Sequence, residues 1–396
     1  MNQGTESSAP SSSPSPHFRS MSMLKHEPSL MVGQEPREDT KKTEPKAATT
    51  EPEASTGERQ HLSSSSSWSH PRLTVLGLYY PLGPCQTRLP KSDLYPVLER
   101  LAHVFCTLSL HTQYQNSPIS ATCTSMDQVS LEVSLFEARD DSGQIILEIA
   151  RRQGDSYLFH QYSRQIMAVA TNYHSEAAAS KGSPWNVHNL HLVDSVVTTQ
   201  TTDDYPLAEA LESVWSMLRG DRHDARKLAL EALVHMTDPN KCGWSTAQAF
   251  CQSLLRPQDG IEEQLSRRIL AYATMTSFSS QENEFIFLSG DEAYLGLRIV
   301  SQALQMAAQA KTMDVQSFLQ GSDLVDCLMD HVSRVQTQPH HAFFAVQSLA
   351  AICDCVPALR SRVRVAHCLQ EAQLVGESSH LALATVSEKL LVTLQA

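Results

Sequence analysis

The chain has 396 residues, 41% of them hydrophobic and 19% charged, and a formal net charge of −12. That length suits two or three domains, and that balance excludes a fibre or a wholly unfolded chain. An acidic total lacks the overall field that draws a protein to nucleic acid, so no nucleic-acid partner is expected.

No apolar run reaches the length of a membrane span. The opening MNQGTESSAPSSSPSPHF has no basic start followed by an apolar stretch, as a secretory signal would, and no glycine at position two for myristoylation. Residues 1–70 are rich in Ser, Pro, Thr, Glu and Lys and have no sustained apolar period. Such a segment buries too little apolar area to offset chain entropy, so a disordered tail is expected. Ser13 and Ser15 each precede a proline and are candidate phosphorylation sites, although plain Ser/Pro low complexity accounts for them equally simply. Met21 to Met31 is the one apolar island of the tail and a candidate docking peptide.

Order is expected to begin near Leu73. LTVLGLYY (73–80) reads as a strand stopped by Pro81, Gly83 and Pro84. From Ser92, a plausible N-cap, Leu94, Val97, Leu98, Leu101, Ala102 and Phe105 recur at helical spacing, with Pro96 in the first turn. TLSLHTQY (107–114) and ATCTS (121–125) are strand candidates. VSLEVSLFEA (129–138) alternates, with Val129, Leu131, Val133 and Leu135 on one side. Asp140 to Gly143 then make a hairpin turn, QIILEIARRQ (144–153) returns, and Gly154–Asp155 end that strand. Tyr157 to Ala170 reads as a helix with Tyr157, Phe159, Tyr162, Ile166 and Met167 available to face a sheet. This defines an α+β module over 71–170, followed by a polar linker over 171–204.

Residues 205–396 are helical in pattern, in segments 206–219, 222–237, 244–255, 261–278, 291–310, 321–335, 340–355 and 358–395, the last split near Gly376. Breaks fall at or beside Gly220, Asp238–Pro239, Pro257, Ser289–Gly290, Gly321, Pro339 and Pro357. In DARKLALEALVHMTDP (224–239), Ala225, Leu228, Ala229, Ala232, Leu233 and Met236 share one expected core face, and Asp221 and Asp224 suit the helix N-terminus. This segment, with HHAFFAVQSLAAICDCVPALRSRV (340–363), resembles armadillo-type and HEAT-type helical repeats. Leu228 and Val346 are not separated by a clean multiple of about 40 residues, so no strict repeat is read. Each fully buried Leu or Val contributes roughly 1.5–3 kcal/mol, which drives such helices to stack as a solenoid or an irregular bundle. The resemblance implies a surface that holds an extended peptide or another domain.

The central segment VSLEVSLFEARDDSGQIILEIARRQGDSYLFHQYSRQI (129–166), with the order helix, three or four strands, helix over 92–170, resembles the kinase-associated domain at the C-terminus of AMP-activated and related protein kinases. That resemblance implies contact with acidic membrane lipids or with a kinase or other protein segment, through Arg151, Arg152 and Arg164. Read on their own, these arginines form a solvated face. The chain has no Gly-rich phosphate loop and no His-Arg-Asp loop.

No hydrolase, metalloprotease, Walker or dinucleotide motif is present, so no catalytic residue, cofactor or metal is expected. The nine cysteines are an odd, scattered set, expected as buried free thiols of a cytoplasmic or nuclear protein. Cys353, Cys355, His367 and Cys368 have zinc-ligand chemistry, but Cys-x-Cys on a helix aims its thiols about 200° apart. His340–His341 after Pro339 mark a helix start, where imidazoles bind metal or sense pH, or, as expected here, cap or face solvent. Asp203–Asp204 and Asp221/His223/Asp224 read as carboxylates at helix starts rather than acid–base pairs. Trp185 and Trp244 suit an interface or the protein's own core, the core being expected. The sequence therefore describes a multidomain α+β and all-α protein: a disordered tail, a small α+β module, and an α-solenoid-like or irregular helical bundle. The expected function is a non-enzymatic scaffold or adaptor for a protein or peptide, with lipid or kinase binding by the central module as the alternative.

Overall fold

Alternation over 129–138 gives the sheet its buried face. In the computed structural model, which describes residues 68–171, 207–257, 260–274, 290–311, 315–319, 322–364 and 367–395, Val129, Leu131, Val133 and Leu135 are all fully buried. The strands are β1 (Thr74–Val75), β2 (Gln86–Pro90), β3 (His111–Asn116), β4 (Ile119–Thr124), β5 (Ser130–Glu137) and β6 (Gln144–Gln153). They form one sheet of order β2-β6-β5-β4-β3, antiparallel along that path, with β1 parallel to the end of β5. Two helices, α1 (Leu94–Thr107) and α2 (Ser156–Ala170), bury their apolar faces with the residues of that sheet face. Asp155 caps α2 by accepting from the Leu158 amide at 2.8 Å.

The other sheet face is closed by the loop after β1. Glu148 on β6 is 3% exposed; its carboxylate accepts from the Tyr80 hydroxyl at 2.8 Å and from the Gly83 amide at 2.5 Å. These bonds satisfy a carboxylate that would be costly to bury alone. They also explain a departure from expectation. LTVLGLYY forms only the two residues of β1, because Tyr80 turns back on Gly77 and is drawn over the sheet, which leaves Leu78 and Tyr79 exposed. The edge strand β2 was not anticipated: its burial alternates with only Leu89 in the core. β3 begins later than TLSLHTQY suggested, because α1 runs to Thr107 and the chain reverses through Ser109 at φ 54°. The 92–94 region also differs: a short 3-10 turn holds Ser92, and Asp93 precedes α1 with no side-chain cap. Trp68, assigned to the tail by composition, is buried, donates to the Ser120 carbonyl at 3.0 Å and packs edge-on to Tyr114.

The remaining helices are α3 (Leu207–Leu218), α4 (His223–Met236), α5 (Pro239–Cys242), α6 (Trp244–Leu255), α7 (Ile261–Thr274), α8 (Gly290–Ala310), α9 (Val315–Leu319), α10 (Leu324–Ser333), α11 (Pro339–Cys355), α12 (Arg360–Arg364), α13 (Cys368–Ser379) and α14 (Leu381–Gln395). Their apolar faces share one core, in which α8 touches α4, α6, α7 and α11. Residues 68–171 and the helices belong to one compact unit, Leu62–Ala396. The expected tail sites Ser13 and Ser15, the 21–31 island, the expected 171–204 linker beyond Thr171, with Trp185, and Asp203–Asp204 lie outside the described residues.

The core face of α4 is rotated from the expected one. Leu228 is 57% exposed, whereas Arg226, Ala229, Leu230, Leu233 and Val234 are buried. The cause is a charge: Arg226 donates from Nε to Glu292 on α8 at 3.0 Å, and Glu292 is fully buried, so a residue that hydropathy would place in water sits in the core. Trp244, expected in the core, is 47% exposed at the start of α6. Tyr157, expected against the sheet, is 57% exposed, while Phe159, Tyr162 and Ile166 are buried.

Gly376, read as a helix break, lies inside α13. Its missing side chain lets α14 approach: a Cβ there would stand 2.8 Å from the Ala384 Cα. The break falls at His380 instead. Gly376→Ala is expected to lower stability by about 1–3 kcal/mol through overpacking. Gly290→Ala, where a Cβ meets nothing within 4 Å, is expected to stay within about 0.5 kcal/mol. Urea midpoints of the two variants check this.

Candidate functional site

The β4–β5 turn, Ser125–Gln128, is fixed by its own chemistry. The Ser125 hydroxyl accepts from the Asp127 amide at 3.3 Å and the Val129 amide at 3.2 Å. Gln128 adopts φ 60°, and Gly154 (φ 95°) passes behind it, where a Cβ would stand 2.7 Å from the Gln128 carbonyl oxygen. Only glycine tolerates both that φ and that approach. The turn thus projects two carbonyls, of Thr124 and Met126, toward the helices.

The helices answer with donors. Tyr294 on α8 donates its hydroxyl to the Met126 carbonyl, and Arg298, one turn further on, donates to the same oxygen at 3.0 Å and to the Asp127 carboxylate at 3.3 Å. Asp127 also accepts from the Tyr162 hydroxyl of α2 at 3.4 Å. His340 on α11 places Nε2 2.8 Å from the Thr124 carbonyl. At the far side of the junction, the Ala382 amide of α14 donates to the Ser109 hydroxyl at 2.9 Å. Burial raises the Tyr294 and Tyr162 hydroxyl pKa values, so both stay protonated donors.

Beside this junction lies a cleft of about 280 Å³. One wall is Met126 and Asp127; another is the α4–α5 joint, Thr237 to Asn240, where the Asp238 carboxylate caps α5 by accepting from the Asn240 amide at 3.0 Å. The floor is Met306, Phe343 and Phe344, with the Arg298 guanidinium 5.7 Å over the Phe344 ring. Four glutamines line it: Gln302, Gln305 and Gln309 on α8, and Gln347 on α11. The Gln302 amide meets the Thr237 hydroxyl at 2.8 Å, whose one proton the Leu233 carbonyl can also accept at 2.8 Å, and the Gln347 carbonyl oxygen accepts from the Ser301 hydroxyl at 3.0 Å. The Ser301 bond fixes the oxygen end of Gln347 and leaves its amino end as a donor for an occupant.

Tyr294, Arg298, Gln302, Gln305 and Gln309 recur at four, four, three and four residues, which places them on one stripe of α8. The stripe is legible in the sequence, but it lies in a helix whose apolar residues dominate the period. His340 was expected to cap or face solvent. It is 6% exposed, the residue preceding α11 is Gln338 with no side-chain cap, and the imidazole instead bridges to β4.

The arginines singled out by the sequence do not converge on this site. Arg151 donates to the Gly154 carbonyl of its own turn at 2.9 Å, Arg152 is ion-paired with Glu132, and Arg164 is exposed on α2. Asp224 pairs with Arg222, which holds its carboxyl below the usual range, and His223 stands 3.0 Å from Glu292. All nine cysteines are free thiols, with Cys123, Cys251 and Cys353 buried. Among the described residues no group of three or more His, Cys, Asp or Glu is arranged to hold a metal ion, and no helix is long and apolar enough to cross a membrane. No family model matches the sequence, and no curated protein or solved structure matches it either.

Tyr294→Phe removes one of the two donors to the Met126 carbonyl. It is expected to cost about 1 kcal/mol in urea unfolding and to raise amide exchange at residues 125–129. A variant unchanged in both would show that the hydroxyl does not hold the turn.

Proposed function

We propose that the chain is a non-enzymatic adaptor of the cytosol or nucleus that holds an extended peptide or protein segment in the cleft between α8, α11 and the β4–β5 turn. The carrying observation is the set of four glutamines over an apolar floor. A carboxamide bonds a peptide group whatever its side chain, and Met306, Phe343 and Phe344 offer dispersion contact to one apolar residue of the guest. Asp127 with Arg298, and Asp238 at the opposite wall, leave the cleft without a strong single-sign field, which suits an uncharged stretch of main chain. We read the helices as an irregular bundle about α8 rather than a regular solenoid, since α8 touches four other helices. Nine free thiols accord with a reducing compartment.

The test is a random-peptide display selection against the full chain. Enriched peptides are then synthesised and their affinities compared on the wild type and on Gln305→Ala/Gln309→Ala. Two lost hydrogen bonds of about 1 kcal/mol each predict a fall of roughly tenfold or more. Peptides that bind both proteins equally, or no enrichment at all, would remove the cleft from consideration.

A second reading is favoured by the element order α1-β3-β4-β5-β6-α2, a helix, four strands and a helix over 94–170. This is the order that the resemblance to kinase-associated domains implies, and with it a contact to acidic lipid through Arg151, Arg152 and Arg164. Flotation of the full chain with phosphatidylserine vesicles is then expected at low salt and lost as salt rises. Absence of flotation at low salt would sink it.

A further inference from the structure

Five imidazoles gather at the junction. His111 comes from β3, His331 from α10, His340 and His341 from α11, and His380 from the joint of α13 and α14. His331, His340 and His380 are 2%, 6% and 0% exposed. His340 and His380 meet at 2.9 Å between Nδ1 and Nε2, His331 stacks on His341 with centroids 5.8 Å apart, and His111 lies edge-on to His340 at 6.2 Å.

The partners fix every proton of the central pair. Thr124 presents a carbonyl to His340 Nε2, so that nitrogen carries the hydrogen and Nδ1 is the acceptor. His380 must then donate from Nε2, and its Nδ1 accepts from the Leu383 amide at 3.2 Å. The chain of bonds runs Leu383 to His380 to His340 to Thr124, the Leu383 amide being shared with the His380 carbonyl at 2.9 Å. A proton added to either ring sets two N–H groups face to face. Added at His340 Nδ1 it opposes His380 Nε2–H; added at His380 Nδ1 it opposes the Leu383 amide.

We propose that this cluster is an acid-sensitive latch: with its rings neutral it clasps the β4–β5 turn to the helices, and uptake of a proton by the His340–His380 pair releases the turn. The charged and titratable groups facing it are Asp127 from the turn, Tyr294 and Arg298 from α8, and Asp330 and Arg334 beside His331 on α10. His331 Nε2 is 3.1 Å from the Ala273 carbonyl of α7. Among the described residues no ion pair joins a carboxylate to any of the five rings; Asp127 is engaged by Arg298 and Tyr162. An imidazolium here would have no carboxylate in ion-pair contact, Asp127 and Asp330 acting on His340 and His331 only from a longer distance.

The direction of the pH dependence follows. Burial pushes His340 down to about 4 and His341 to about 3, and lowers His111, His331 and His380 as well. In an opened junction these rings return toward the ordinary value of about 6.5. The clasp is therefore at full strength above about pH 6.5 and weakens as pH falls from there toward 4, by about tenfold per pH unit for each proton excluded. Because Met126 and Asp127 form one wall of the cleft, release would also open that wall. The latch itself does not depend on what the cleft holds.

The experiment is hydrogen–deuterium exchange of the full chain at pH 7.5, 6.5, 5.5 and 5.0, corrected for intrinsic exchange. Residues 124–129 and 381–384 are expected to lose protection at least about tenfold between pH 6.5 and 5.5, while 131–135 and 145–149 in the sheet interior keep theirs. The doubly substituted His340→Gln/His380→Gln chain, whose amides donate and accept without titrating, is expected to show a smaller step, limited to what His111, His331 and His341 contribute. Equal wild-type protection at pH 7.5 and 5.0 would overturn the latch, and so would the same step in the double variant. If the double variant fails to fold at pH 7.5 by circular dichroism, the imidazole Cε1–H resonances of the wild type decide. Rings that titrate together with loss of the turn support the latch; rings that titrate near pH 6.5 with the turn still protected refute it.

Discussion

Two carbonyls at the end of β4 govern how the protein is assembled. The Thr124 oxygen at the strand end and the Met126 oxygen in the turn each face helices across the boundary between two apolar cores. A buried carbonyl without a partner costs about 1–3 kcal/mol. The donors come from residues far along the chain: His340 for one oxygen, Tyr294 and Arg298 for the other. Since the turn is rigid, through Ser125 and through the glycine behind it, the helices must come to the turn. That requirement fixes α8 and α11 against the sheet with a directionality that apolar packing alone does not provide.

The helix α8 carries three consequences of that placement. Near its N-terminus, Glu292 is buried and answered by Arg226 of α4, so the bundle is keyed by a charge as well as by volume. In its middle, Gly296 removes the side chain that would meet Tyr272 of α7, and Tyr294 and Arg298 reach the turn. Toward its C-terminus the same stripe continues as glutamines into the cleft. The junction and the proposed binding surface are thus successive turns of one element, and a displacement of α8 that disturbs one disturbs the other.

The sequence was informative wherever a local rule acts alone. Helix ends at Gly220, Asp238–Pro239 and Pro339 lie at or beside the observed breaks, because proline and glycine act on the backbone regardless of neighbours. The alternation of 129–138 gave the buried side of β5, since period two has no competing interpretation there. It misled where a partner distant in sequence overrides hydropathy. The face of α4 turns by the pull of Glu292 on Arg226; β1 is cut short by Glu148 drawing Tyr80 across the sheet; Gly376 is spent on a close helix crossing rather than on a break. His340 belongs to the same class, its role set by a carbonyl of β4.

What the amino-acid order determined by itself was the kind and extent of most elements: a strand-rich stretch flanked by two helices, then a long succession of amphipathic helices. Those are properties of short windows, decided by dihedral preference and the periodic placement of apolar side chains. What only the tertiary structure decided was the meeting of Thr124 and Met126 with His340, Tyr294 and Arg298, the gathering of five imidazoles, and the cleft with its four amides. The reason is that these arise from hydrogen-bond complementarity between groups that burial alone brings together, and nothing in the spacing of Met126 and Tyr294 along the chain records that one will need the other.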